Sequence, residues 1–358
     1  MASGERFNPP VRGCTTRARR PAAKTPYLVA NPSARIASGY FQMRVWTRAS
    51  LSVLASAIVI ATLATHAQTP ASSQRKWAQP RTAWGDPDLQ GIWNYATMTP
   101  LERPRELADK DVLTQEEAAE YERQTFERQD TTTANTAGPD WWERERLTNR
   151  RTSLIVDPPN GRVPPLTPEA QKRATALAQA RRERGPANSL EDLGLSLSVR
   201  CVQWSTAGPP MLPVMYNNNV QFVQTHQYVA ILNEMIHDAR IVPMDGRPHG
   251  KIRQWMGDSR GHWEGNALVV DTVNFSEKTS FRGSDGHLHL IERFTRTGPD
   301  TIEYQFTVED QTIWTRSWTA AFPLRATEGP IYEYACHEGN ARSVEGILSG
   351  ARTPDNTP

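Results

Sequence analysis

Residues 301–309 alternate without a break, with Ile302, Tyr304, Phe306 and Val308 on one face and Glu303, Gln305, Thr307 and Glu309 on the other. Successive side chains of a β-strand point to opposite sides, so this segment reads as an antiparallel strand with one buried and one wet face. The same period dominates the chain beyond about residue 200. Residues 220–225 and 228–234 are β-rich, and 235–242 continue the run. Gly265-Asn266 predicts a hairpin turn, and Gly298-Pro299-Asp300 predicts a second one ahead of residue 301. Residues 313–322 alternate with Trp314 and Trp318 on one face, and 331–335 supply a last strand. Many strands, short turns and no intervening helices predict a mainly β fold (β+α), an antiparallel meander forming a barrel or strongly curved sheet over residues 200–350. No repeat period is evident, which disfavours a propeller.

Residues 84–199 read as an irregular and helical segment wrapped around that sheet. Trp84-Gly85-Asp86-Pro87-Asp88-Leu89-Gln90-Gly91-Ile92-Trp93 sets turns around a short apolar strand. Thr114 and Glu117 form a capping box for a charged helix running to about Arg128. Thr167 followed by Pro168 starts a second helix, which Gly185-Pro186 stops.

The N-terminus carries the parts of an export signal. Residues 51–64 are an uncharged apolar run of fourteen, preceded by Arg44 and Arg48 and followed by Thr65-His66-Ala67. A helix of that length falls short of the ~30 Å bilayer core, which favours a cleaved signal over a retained anchor. The expected organisation is a leader of non-native or disordered character at 1–42, a signal peptide at 43–67 starting at Met43, a linker at 68–83, and a disordered tail at 351–358. The first fifty residues hold nine of the 41 Lys and Arg and one of the 39 Asp and Glu, leaving 32 bases against 38 acids in the rest. That acidic remainder has no general attraction for phosphate backbones, so nucleic acid is not an expected partner. Nor is stable membrane insertion expected after signal cleavage. The destination is periplasmic or secreted. Past the signal two cysteines remain, Cys201 and Cys336, and an even count in an oxidising compartment points to a disulfide. Two buried thiols are the alternative.

Four segments give the chain a wider resemblance: residues 84–93, Glu234-Met235-Ile236-His237-Asp238-Ala239-Arg240, Gly257-Asp258-Ser259-Arg260-Gly261-His262-Trp263-Glu264-Gly265 and Tyr334-Ala335-Cys336-His337-Glu338-Gly339-Asn340. Their order resembles a family of exported bacterial proteins without an assigned function, over most of residues 80–350. The expected barrel is also similar in architecture to a lipocalin cup, and Gly91-x-Trp93 echoes the lipocalin Gly-x-Trp. Architecture by itself does not give function.

Chemistry is expected in two clusters. If residues 234–240 are a strand, Asp238 and Arg240 share a face as an ion pair, and His237 on the other face can act as acid or base near neutral pH. In residues 253–265, Arg253 can hold an anion and Trp255 can stack on a ring, with Trp263 and Glu264 beside them. Glu264 and Asp271 are candidate paired acids. His287-x-His289 has the spacing for a shared ion and lacks a third ligand, so no metal and no cofactor is assigned. Cys336 beside His337 is a poor nucleophile pair, because strand neighbours point apart. No Walker loop, G-x-S-x-G, H-E-x-x-H or C-x-x-C is present.

The leading expectation is an exported protein that binds a small apolar or aromatic molecule in a β cup, with Arg240, Arg253, Trp255, Trp263, Trp314 and Trp318 as ligand contacts. The alternative is an enzyme on the same cup, using His237 with Asp238 or Glu264 for isomerisation, elimination or hydrolysis. A structural envelope protein is the third possibility. The oligomeric state is left open.

Overall fold

The fold comes from a computed structural model, which describes residues 77–133, 146–183, 194–279 and 281–352. The expected leader, signal peptide, most of the linker and the tail beyond residue 352 lie outside them. Ten strands form one antiparallel sheet: β1 (Gly91–Asn94), β2 (Ile155–Asp157), β3 (Asn219–Gln224), β4 (Tyr228–Asn233), β5 (Ala239–Pro243), β6 (Asp258–Glu264), β7 (Ala267–Val273), β8 (His289–Gly298), β9 (Thr301–Glu309) and β10 (Trp318–Ala326). Nine follow the order β5-β4-β3-β1-β10-β9-β8-β7-β6, and β2 joins β10 beside β1. The two edge strands meet without a hydrogen-bonded ladder. A Cβ on Gly261 of β6 would overlap Met244 Sδ and would lie 2.8 Å from Val242 Cγ1. The sheet is thus a nearly closed barrel, shut along one seam by side-chain packing.

Both expected hairpins are present. β6 and β7 turn at Gly265-Asn266, where Gly265 has φ +61°. β8 and β9 turn at Pro299-Asp300. Both helix starts are also as the caps predict. Helix α1 (Gln115–Thr133) begins with Glu117 N donating to Thr114 Oγ1 at 3.2 Å and Thr114 N donating to Glu117 Oε2 at 3.1 Å. Helix α2 (Pro168–Arg182) begins with Ala170 N donating to Thr167 Oγ1 at 3.1 Å. The segment before residue 200 does more than wrap, however, because β1 sits inside the sheet between β3 and β10.

Three expectations are corrected. Residues 234–240 are not a strand: β4 stops at Asn233, a 3-10 turn covers Met235–His237, and β5 starts at Ala239. Ile236 and His237 take left-handed φ values of 58° and 47°, and Asn233 N donates to Asp238 O at 2.8 Å, closing the reversal. An unbroken strand from 228 to 242 would also far exceed the usual length of about 5–6 residues. Residues 313–317 turn before β10 begins, because Asp310 O accepts from both Ile313 N and Trp314 N. Finally, 331–335 form no strand, and Cys336–Arg352 are helix α3. β10 already has β9 on one flank and β1 with β2 on the other, so a short strand following it finds no hairpin partner.

The barrel has two unlike ends. At one end lie the β3–β4, β6–β7 and β8–β9 turns and the segment before β1. Gln224 clamps that segment, accepting from Leu89 N at 2.6 Å and donating to Pro87 O at 3.1 Å. The guanidinium of Arg296 lies 5.2 Å from the centre of the Trp93 ring and donates to Asp88 O at 3.0 Å. Arg81 donates to Asn266 of the β6–β7 turn at 3.1 Å. The other end carries the longer connections 234–238, 274–288 and 310–317, together with residues 95–101 and 203–218. Cys201 and Cys336 are joined in a disulfide, which fastens α3 to the stretch leading into this end.

Candidate functional site

Inward-facing residues fill the barrel. Phe222, Phe294, Tyr304, Phe306 and Phe322 are all buried, with ring centres 4.8–5.7 Å apart from Phe222 through to Phe322. Aromatic rings at these separations gain from edge and offset contacts beyond their burial. Among them lies one ion pair. The two Nη groups of Arg240 on β5 donate to the two carboxylate oxygens of Glu292 on β8, one of them at 3.1 Å. Tyr304 donates to Glu292 Oε1 at 2.7 Å and accepts from Met211 N at 3.1 Å. Burial, reinforced by the charge on Glu292, holds the Tyr304 hydroxyl well above the ordinary phenol range. Charges this deep persist only when paired. Met211 belongs to the connection before β3, so the loop end is plugged by the chain itself.

The structure disperses the residues singled out from the sequence. His237 is exposed on the 3-10 turn. Asp238 makes no ion pair with Arg240, which points inward to Glu292; its own partner is the Trp204 backbone. Burial lifts the Asp238 carboxyl to about 6, and its Oδ2 is buried without a hydrogen-bond partner. Glu264, at the far end of β6, bonds His262 at 3.1 Å and Arg293 at 2.8 Å, and these contacts hold its carboxyl below the usual range. His237, Asp238 and Glu264 therefore form no common acid–base centre. Arg253 donates to Phe275 O at 3.2 Å, lies against Gly286, where a Cβ would strike it, and brings Nη2 to 3.9 Å from Glu277 Oε1. Trp255 is partly exposed, and Trp263 shares the inward face of its partner Leu268 and packs, partly buried, against the core. Trp314 and Trp318 are buried edge-to-face, 5.8 Å apart, as core residues.

A cluster only half visible in the sequence lies on the outer face near the loop end. Asp271 accepts from two imidazoles, His249 Nε2 at 2.8 Å and His289 Nε2 at 2.9 Å. His289 Nδ1 lies 2.9 Å from Glu309 Oε2, and His249 Nδ1 faces Asp258 Oδ2 at 3.5 Å. A ring nitrogen must carry hydrogen to donate, so His289 serves two carboxylates best as imidazolium. Asp271 accordingly raises the His289 pKa, and His289 lowers that of Asp271. His287 turns instead to Asp285 at 3.5 Å. Among the described residues no set of three His, Cys, Asp or Glu is placed to hold a metal ion.

Concave space lies at the loop end, outside the packed lumen. One cavity of about 390 Å³ is walled by Met98, Leu101, Phe126, Leu154, Leu212 and Met215. The Thr206 hydroxyl in its wall is buried and has no partner. Arg282 stands there too, paired with Glu102 at 2.6 Å. No protein-family model and no curated protein matches this chain. What the site does must therefore be read from its own geometry.

The cavity residues come from stretches at 97–101, 125–126, 154, 206–215 and 282 that no local pattern joins, so they could not be read from the sequence. Among the described residues no helix is long and apolar enough to cross a membrane.

Proposed function

We propose that this is an exported binding protein that takes a small apolar or aromatic molecule at the loop end of its barrel. The carrying observation is the 390 Å³ cavity with Met, Leu and Phe walls and the single unpaired Thr206 hydroxyl. Ligand pockets are mostly apolar, measure about 300–1,000 Å³, and orient the guest with few polar groups. Methionines at positions 98 and 215 let such a wall adapt to irregular guests. The proposed guest thus sits beside the lumen rather than in it. Export to an oxidising compartment accords with the Cys201–Cys336 bond.

Titration with 1-aminoanthracene, a fluorescent apolar ring, tests the reading. Leu212→Trp fills the cavity and should weaken binding at least tenfold while the far-ultraviolet circular dichroism is kept. Equal affinity in L212W and the parent protein would contradict the assignment.

A further inference from the structure

A second hollow at the loop end has a different chemistry. It measures about 570 Å³ and lies between α2, residues 194–209 and the β7–β8 connection. Arg181, Arg200 and Lys278 line it, and no Asp or Glu is among its described lining residues. The remaining wall mixes serine and threonine hydroxyls with apolar surface from Leu195, Leu197 and Phe281. Concentrated positive charge in a partly walled cleft favours an anion.

One buried group adds a second requirement. Gln203 is only 4% exposed and lines the cleft. Its Nε2 donates to Gly208 O at 3.3 Å, which fixes the nitrogen end of the amide, and Oε1 has no partner. A buried acceptor without a donor costs free energy that a ligand N–H or O–H can recover. The cations and the amide together ask for one molecule with an anionic group and a hydrogen-bond donor. Phe281, buried and stacked at 6.1 Å on Trp318, adds a rigid apolar surface to the same lining.

We infer that this cleft is a second ligand site, selective for a small hydroxylated aromatic or cyclic carboxylate. Arg200 holds the carboxylate, with Arg181 also lining the cleft, and Gln203 Oε1 accepts from the hydroxyl. The inference stands apart from the Thr206 cavity, whose walls are different.

Calorimetric titration with 4-hydroxybenzoate, benzoate and phenol separates the two requirements. The first should bind tightest, benzoate about tenfold more weakly for want of the donor, and phenol weakest for want of the charge. Arg200→Glu should weaken both carboxylates at least tenfold and leave phenol unchanged. Gln203→Leu should erase the preference for 4-hydroxybenzoate over benzoate. Because Gln203 is buried, that result counts only with an unchanged circular dichroism spectrum; Arg200→Glu, away from the core, gives the test independently. Leu212→Trp should leave 4-hydroxybenzoate binding intact, so failure of the Thr206 cavity and failure of this cleft are told apart. No measurable binding of 4-hydroxybenzoate, equal affinity for benzoate, or indifference to Arg200→Glu overturns the inference.

Discussion

The lumen and the loop end of this barrel solve the burial of polar groups in opposite ways. In the lumen, both Nη groups of Arg240, both oxygens of Glu292 and the Tyr304 hydroxyl satisfy one another inside a wall of rings. At the loop end, Thr206 Oγ1, Gln203 Oε1 and Asp238 Oδ2 are buried with no partner, two of them in the walls of hollows. The lumen set is paired except at Arg240 Nε, and the packed rings around it leave no space for a guest. Unspent hydrogen-bonding capacity beside empty volume destabilises the free protein slightly and rewards binding. The proposed recognition thus belongs to the rim, while the filled lumen serves stability, the reverse of an open cup.

The sharpest way to break the contrast is to open the lumen pair. Glu292→Ala leaves Arg240 buried and uncompensated and should cost about 3–5 kcal/mol in urea unfolding. The double change Arg240→Met with Glu292→Leu should recover most of that loss. A cost below about 1 kcal/mol for Glu292→Ala would mean that water reaches the pair, and the lumen would no longer differ from the rim.

At the rim the sign reverses. Burial raises the Asp238 carboxyl to about 6 from an ordinary 3.8, so the folded state binds its proton more tightly than the unfolded state. Stability therefore falls as pH rises from about 4 to about 6, and the penalty is fully present above that. Asp238→Asn should gain about 1 kcal/mol at pH 7, discounted for partial solvent access, and nothing at pH 4. A loss at pH 7 would show that the carboxylate is well served where it stands.

The outer face gives the smallest effect. The folded pKa of His289 lies above its ordinary 6.5, chiefly through Asp271. Its stabilisation is complete below pH 6.5 and is lost as pH rises through the higher folded value. His289→Gln should flatten that decline in a melting series from pH 6 to pH 9, by less than about 1 kcal/mol since the pair is solvent-screened. Asp271 works in the other direction: its pKa is lowered, so its contribution fades as pH falls through the acid range. An unchanged profile in H289Q would remove the imidazolium from the account.

How much of this was legible follows from what each part depends on. The hairpins at Gly265-Asn266 and Pro299-Asp300 could be read because turn residues stand between alternating runs. Thr114 and Thr167 marked both N-terminal helices because caps are local chemistry. A barrel or strongly curved sheet was expected from the run of strands, but the seam itself could not be read, since it rests on Gly261 meeting Val242 and Met244 with no ladder. The acid–base proposal for 234–240 failed at a single step. Two left-handed residues, Ile236 and His237, break the strand, so the assumed side-chain parity does not hold. Arg240 shares its face with buried Val242 and went inward to a partner 52 positions away, which no local pattern announces. The rim hollows draw on segments scattered from residue 97 to residue 282, and none of these carries a period.

Xenon pressurisation of crystals puts the division between rim and lumen to the most direct test, because the gas enters dry apolar cavities without needing a polar partner. Density is predicted beside Leu212, Met215 and Thr206, with none among Phe294, Tyr304 and Phe306. Xenon between those three rings would contradict the account, and so would an empty pocket beside Leu212.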